Sequence, residues 1–295
     1  MDNILLETKN IMQKYKIQAN KSLGQNFLID EIVVNSIIDS AKVSKKDLVI
    51  EIGPGLGVLT SRLLKKANKV IAVELDKNMI NVLKDRFKEY NNFELINNDI
   101  LKVDLKEVIR KEKSEEIEEV KIVANLPYYI STPIIMKLLE ERLDINTITV
   151  MVQKEVGQRL TAKTGQRLAG SITYAVEYYS NSSKVIDVSK ECFIPSPKVE
   201  SEVVKLEIKR QEEEKVEDEE LLFKIIKVAF SQRRKTFMNT LVNTGILTKQ
   251  EVEEMLKQLG LDENIRGENL KLEDFIKITN YINKKRYLKK AYLML

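Results

Sequence analysis

The chain has 295 residues, 43% hydrophobic and 32% charged, with 10 Gly and 5 Pro, which suits one large α/β domain plus a smaller partner and excludes a collagen-like or disordered chain. It contains no histidine and a single cysteine, which excludes a Ser-His-Asp or Cys-His catalytic arrangement, an internal disulfide and a cysteine-based zinc site, so no metal is expected. The formal charge of +4, from 49 basic and 45 acidic residues, is too small to name a partner, and the placement of charge carries more weight than its sum.

In chain order, residues 3–16 read as a short amphipathic helix, in which Asp2 and Glu7 spoil any signal peptide. No apolar run approaches the roughly 20 residues that a membrane span needs, so a cytoplasmic protein without a membrane partner is expected. A polar turn with one glycine, residues 21–28, leads into a helix over 30–42, with Asp30 as N-cap and Ile32, Val33, Ile37 and Ile38 on its inner face. Strands are predicted at 48–52, 70–74, 93–97, 121–124 and 147–152, with helices at 59–66, 77–89 and in the later gaps. Strands spaced by helices imply a mostly parallel, doubly wound sheet, which binds ligands beyond the carboxyl ends of its strands. The charged stretch 111–119 reads as a solvated helix end, and Cys192 as a buried apolar thiol in a reducing compartment. Residues 208–220 are a run of charges, read as a connector. They divide a first domain, 1–208 with an N-terminal arm 1–29, from a small all-helical domain, 209–295, with further helices at 221–230, 232–243, 248–258 and 272–283.

Gly53, Gly55 and Gly57 follow the first strand and open a helix, so bare backbone amides can approach a ligand. The motif alone is weak. Its G-x-G-x-G spacing, with Glu51 two residues ahead, suits a zwitterionic methionine moiety better than a diphosphate. Glu74 ends the second strand, where a carboxylate can accept from both hydroxyls of a ribose. Asp99, after the third, can accept from an adenine amine while a neighbouring amide donates to the ring. Leu75 and Ile100, next to these two carboxylates, complete this set. Any one of these residues alone is an ordinary loop residue; in series they favour an adenosine site.

The fourth strand ends in Asn125-Leu126-Pro127-Tyr128. An adenine N6 is a poor nucleophile because its lone pair is delocalised into the ring. The Asn125 side-chain oxygen and the Leu126 carbonyl can take its two hydrogens, Pro127 can fix the turn and Tyr128 can stack on the base. A base inside a stack cannot reach such a cleft, so the target must be unpaired or flipped out. Phe193 is the candidate for a second stacking face, with a core phenylalanine as the alternative.

These stretches, together with Leu23-Gly24-Gln25-Asn26-Phe27-Leu28, Gln153-Lys154-Glu155-Val156, Phe193-Ile194-Pro195-Ser196-Pro197-Lys198-Val199 and Ala229-Phe230-Ser231-Gln232-Arg233-Arg234-Lys235-Thr236, resemble the ribosomal small-subunit RNA adenine N6,N6-dimethyltransferases of the KsgA type, over roughly residues 18 to 280. The resemblance implies a Rossmann-like methyltransferase fold, S-adenosylmethionine as methyl donor, and dimethylation of two adjacent adenines in a 3′-terminal hairpin loop of small-subunit rRNA. It implies further that Gln25, Asn26 and Leu28 help enclose the cofactor, that Gly53 touches its methionine part, Glu74 its ribose and Asp99 its adenine, and that Asn125 lies between donor and target. Implied partners are the small ribosomal subunit and its rRNA, with a role in assembly; a monomer is expected. Arg233, Arg234 and Lys235 are the candidates for rRNA backbone contacts.

Tyr129 sits where many members carry Asn, and residues 284–295 run past the usual end, with Lys284, Lys285, Arg286, Lys289 and Lys290 among Tyr287 and Tyr292. Rival readings are a macrolide-resistance enzyme acting on large-subunit rRNA, a DNA adenine methylase, a non-catalytic RNA-binding assembly factor and a NAD-dependent enzyme.

Overall fold

A computed structural model describes residues 4–20, 23–209, 216–232 and 234–293, with side chains as far as 287. The chain divides into two compact units, one of residues 1–161 and 181–208, the other of residues 162–180 and 209–295.

The first unit holds helices α1 (Ile4–Lys14), α2 (Glu31–Ala41), α3 (Val58–Lys66), α4 (Lys77–Arg86), α5 (Leu105–Glu112), α6 (Ser131–Glu140) and α7 (Lys154–Thr161). Its strands are β1 (Phe27–Leu28), β2 (Asp47–Ile52), β3 (Lys69–Glu74), β4 (Phe93–Asn97), β5 (Glu119–Asn125), β6 (Thr147–Gln153), β7 (Ser180–Val188), β8 (Phe193–Ile194) and β9 (Ser201–Ile208). A seven-stranded sheet runs β4-β3-β2-β5-β6-β9-β7. Strands β2 to β6 are mutually parallel, as expected, and β9 runs antiparallel to β6 with Ser201 opposite Gln153 and Glu207 opposite Thr147. The parallel strands form because β-branched runs such as Leu48-Val49-Ile50 are buried on both faces, where a continuous apolar sequence is stable. Val49, Val70 and Val123 of the sheet join Val33, Ile37 and Leu63 of the helices in one apolar core. The last two strands at one end of the sheet, β9 and β7, were not expected from the sequence.

Helix α2 starts as foreseen: the Asp30 side chain accepts from the Val33 amide. Of its expected inner face Val33, Ile37 and Ile38 are buried, but Ile32 is not. Ile32 is 71% exposed while Val34 is fully buried, because residues two apart on a helix point in nearly opposite directions. Helix α4 stops at Arg86, three residues short of the expected end.

The second unit is helical, with α8 (Ser171–Tyr179), α9 (Glu219–Ser231), α10 (Phe237–Val242), α11 (Lys249–Gln258) and α12 (Leu272–Leu293). A single boundary at 208/209 therefore needs correction, since 162–180 belongs with these helices. The buried Tyr174 ring of α8 packs edge-on against Phe275 of α12 at 5.2 Å, and its hydroxyl donates to the Leu270 carbonyl at 2.5 Å. Helix α10 begins only at Phe237, where Thr236 caps it by accepting from the Asn239 amide. Helix α12 carries on into the expected C-terminal extension as far as Leu293, and there Lys285 pairs with Glu251 and Glu254 of α11 and Tyr287 is exposed. The side chains of Lys289, Lys290 and Tyr292 lie outside the described residues. Among the described residues no helix is long and apolar enough to cross a membrane.

Candidate active site

At the carboxyl ends of β2, β3 and β5 a cleft opens within the first unit. Gly53, Gly55 and Gly57 hold φ angles of 67°, 56° and 83°, the left-handed region in which side chains are costly and glycine is not. Gly53 and Gly55 line the cleft. The backbone reversal also lets the Gly55 amide donate to Glu74 Oε2 at 3.2 Å. Gly57 has a different job from the one expected. It does not line the cleft, and a Cβ there would lie 2.6 Å from the Phe87 ring at the end of α4. It is the glycine that lets α3 pack, so its assignment to the cofactor set is corrected.

Three carboxylates face the cleft, Glu51, Glu74 and Asp99, and among its described lining residues there is no lysine or arginine. Glu74 accepts from the amides of Gly55 and Asp76, the latter at 2.8 Å; burial nonetheless pushes its carboxyl upward. Glu51 is 1% exposed, and burial pushes it up to about 8, against the opposing effect of the Thr60 hydroxyl, which donates to Oε2 at 2.7 Å. Asp99 caps the short 3-10 turn 100–102 by accepting from the Leu101 amide at 3.0 Å. Ile100 and Leu75 line the same wall, Ile100 buried and Leu75 half exposed at the rim. An acidic cleft with bare glycine backbone fits a ligand that carries positive charge and an adenosine. A dinucleotide diphosphate would meet carboxylates with no lining cation to offset them.

The N-terminal arm forms one wall. Strand β1 pairs antiparallel with β8, setting Phe27 opposite Ile194 and Leu28 opposite Phe193, and Gln25 Nε2 donates to Asp76 at 2.7 Å. Gln25, Asn26 and Leu28 all line the cleft, and so does Phe27, which had not been assigned a role. Phe27 was legible only as part of the quoted motif; its ring lies beside Gly55.

On the other wall Asn125 ends β5, and its Nδ2 donates weakly to the Asn26 carbonyl at 3.5 Å, which turns Oδ1 into the role of acceptor. The Leu126 amide is taken by the Met151 carbonyl at 3.1 Å, and its side chain is buried, so the backbone is fixed here by its neighbours. Pro127 precedes the 3-10 turn 128–130, which carries Tyr128 and Tyr129. The Tyr128 hydroxyl is 2.5 Å from Ser201 Oγ at the start of β9, and burial raises its pKa. Phe193 is 3% exposed, belongs to the apolar core and does not line the cleft. Its place as a second stacking face is therefore corrected to that of a core phenylalanine, because in β8 it pairs with Leu28 beneath the arm.

Arg234 and Lys235 are exposed in the turn between α9 and α10 of the helical unit and are not among the cleft's lining residues. Arg233 lies outside the described residues.

The family described as ribosomal RNA adenine dimethylase matches residues 16–284. The chain is 44% identical over 278 residues to a Clostridioides difficile (strain 630) protein called ribosomal RNA small subunit methyltransferase A, covering 94% of this chain and 96% of that one. It is similar to the crystal structure of a dimethyladenosine transferase from Plasmodium falciparum, with 29% identity, a TM-score of 0.73 and coverage of 88% and 98% of the two chains. The 23S rRNA methyltransferase ErmE shares the fold at 22% identity, with a TM-score of 0.63 over 88% of this chain and 100% of that one.

Proposed function

Because the chain belongs to the ribosomal RNA adenine dimethylase family, we propose that it transfers methyl groups from S-adenosylmethionine to the N6 of two adjacent adenines in a 3′-terminal hairpin loop of small-subunit rRNA. The observation that carries this reading is a single cleft in which the Asn125–Tyr128 wall faces Glu51, Glu74 and Asp99 with no lining cation. Such a cleft suits a sulfonium donor on one side and a neutral base on the other. The small-subunit target is supported by the Clostridioides difficile relative, whose name specifies that subunit.

When bound, S-adenosylmethionine supplies an electrophilic methyl group. The chain's own residues do the rest. Gly53 and Gly55 admit the methionine portion close to the backbone, Glu74 accepts the ribose hydroxyls, and Asp99 with the Ile100 amide brackets the adenine ring. Asn125 Oδ1 and the Leu126 carbonyl draw the two hydrogens of the target amine and aim its lone pair, which is worth more in a water-excluded cleft than in solution. Tyr128 stacks on the extruded base, offsetting its unstacking at roughly 1–3 kcal/mol per base. No histidine is present to act as base. None is needed, since the nitrogen sheds its proton readily once it is cationic.

Arg233, Arg234 and Lys235 of the helical unit contact rRNA phosphates in this reading, which makes binding salt-sensitive. The protein acts as a cytoplasmic monomer on a partly assembled small subunit. The deciding experiment is radiolabelled methyl transfer to small subunits lacking these methyl groups, with large subunits alongside and digestion to nucleosides. Dimethyladenosine in the small subunit alone is the expected result. Label in the large subunit alone would replace this target with the large-subunit one, and RNA binding without labelling of either would make the chain an assembly factor.

A further inference from the structure

Tyr129 is the one mostly exposed aromatic side chain among the described residues of the first unit, at 55%, and it lines the mouth of the cleft. It follows Tyr128 in the same 3-10 turn, where consecutive side chains diverge by roughly 120°. Tyr128 is thereby turned inward to Ser201 while Tyr129 is turned out. The outward ring is not loose. One edge rests against the arm at Gly24, where a Cβ would stand 3.3 Å from Cδ1 of the ring, and Gly24 itself holds a φ of 62°. A glycine at that point meets two demands at once, a left-handed backbone and room for the ring.

A flipped base leaves behind a neighbour that has lost the stacking partner on one of its faces. An aromatic ring fixed at the mouth of the cleft, one residue from the ring that receives the flipped base, is placed to cover that face. We propose that Tyr129 is a second stacking surface, for the purine adjacent to the adenine being methylated. The inference rests on the rRNA reading given above. It also gives the site a reason to favour a pair of neighbouring purines over an isolated one, since each is held on its own ring while one of them reacts.

The test is steady-state methylation of small subunits lacking the methyl groups by wild type, Tyr129→Ala and Tyr129→Phe, with cofactor affinity and melting temperature measured on each. Tyr129→Ala is expected to raise KM for the RNA by about 5- to 150-fold, the loss of one base stack, with kcat, cofactor affinity and melting temperature little changed. Tyr129→Phe, which keeps the ring, restores the wild-type KM. In parallel, a hairpin RNA with 2-aminopurine next to the target adenine should be quenched by wild type and not by Tyr129→Ala. Active wild type with an unchanged KM in Tyr129→Ala, or a phenylalanine variant as impaired as alanine, overturns the inference and leaves the rRNA reading standing. A wild type that labels no rRNA overturns both.

Discussion

The hydroxyls of Tyr128 and Ser201 meet at 2.5 Å, tying the aromatic ring of the Asn125–Tyr128 wall to a strand 73 residues further along the chain. A tyrosine ring rotates about two bonds, and a fixed hydroxyl removes much of that freedom before any base arrives.

Ser201→Ala should therefore lower kcat/KM for RNA methylation by about 2- to 10-fold, the range expected for one net hydrogen bond, while leaving cofactor affinity alone. Tyr128→Phe should produce the same loss, and the double variant no more than either single one. Additive losses in that cycle would mean that the two hydroxyls act separately.

Asn125→Ala removes the side-chain acceptor from the reacting amine. A fall in kcat of about 10²- to 10³-fold is expected, as for loss of one preorganised polar group at a reaction centre, with RNA and cofactor binding retained. The measurement is single-turnover methylation alongside equilibrium binding of each ligand.

Glu51 makes the stability of the protein sensitive to pH. Its carboxyl is raised from 4.5 to about 8 by burial, so the folded state holds a proton that the unfolded chain releases above 4.5. Stability from this group is complete below that value and drains away as pH rises toward 8, by at most about 1.4 kcal/mol per pH unit. Glu74 shifts in the same direction. Urea unfolding across pH 5 to 8 should show a flatter profile in Glu51→Gln than in wild type. A cationic ligand favours the ionised carboxylate, so cofactor affinity should climb with pH over this range in wild type and respond less in the variant.

Gly57→Ala and Gly55→Ala should separate two glycines that look alike in the motif. At Gly57 the new methyl collides with Phe87 and sits on left-handed backbone, at a combined cost of about 2–5 kcal/mol of folding stability. At Gly55 the nearest neighbour, the Phe27 ring, is 3.6 Å away, so only the backbone cost of about 1–2 kcal/mol applies. That second variant should be folded and impaired in cofactor binding, which denaturation and ligand titration would distinguish.

Four of the five parallel strands, β2, β3, β5 and β6, were legible because each is a short run rich in β-branched residues and buried on both faces, and the partly buried β4 because it alternates Phe93, Leu95 and Asn97 with Glu94 and Ile96 between helical segments. Strand β9 was not, because Glu202 and Lys205 are buried in it beside Val203, Val204 and Leu206, and buried charges read as surface in a sequence. Strand β7 is mostly polar and only partly buried. In the cleft, the carboxylates and Asn125 could be found because they follow strand ends, where this topology places ligands. Gly57 could not be told from its companions, since all three need positive φ and the difference lies in an aromatic ring 30 residues away. Phe27 and Phe193 were not told apart either: the cleft is lined by Phe27, which the sequence left without a role, and not by Phe193. Both occupy two-residue strands and both are buried, and only the paired arrangement of β1 and β8 leaves Phe27 at the cleft wall and Phe193 in the core behind it.

Strand direction acts here as a delivery rule. Strands β2, β3 and β5 offer their final residues to the cleft, but β9 enters the sheet reversed and brings its first residue, Ser201, to Tyr128. Had it run the other way, Ser201 would stand roughly 23 Å off at the far edge, seven residues at about 3.3 Å each, and Ile208 would take its place beside Tyr128. One inverted strand thus brings the chain back to the reacting end after the parallel strands have all departed from it, and a late segment of sequence comes to steady an early one.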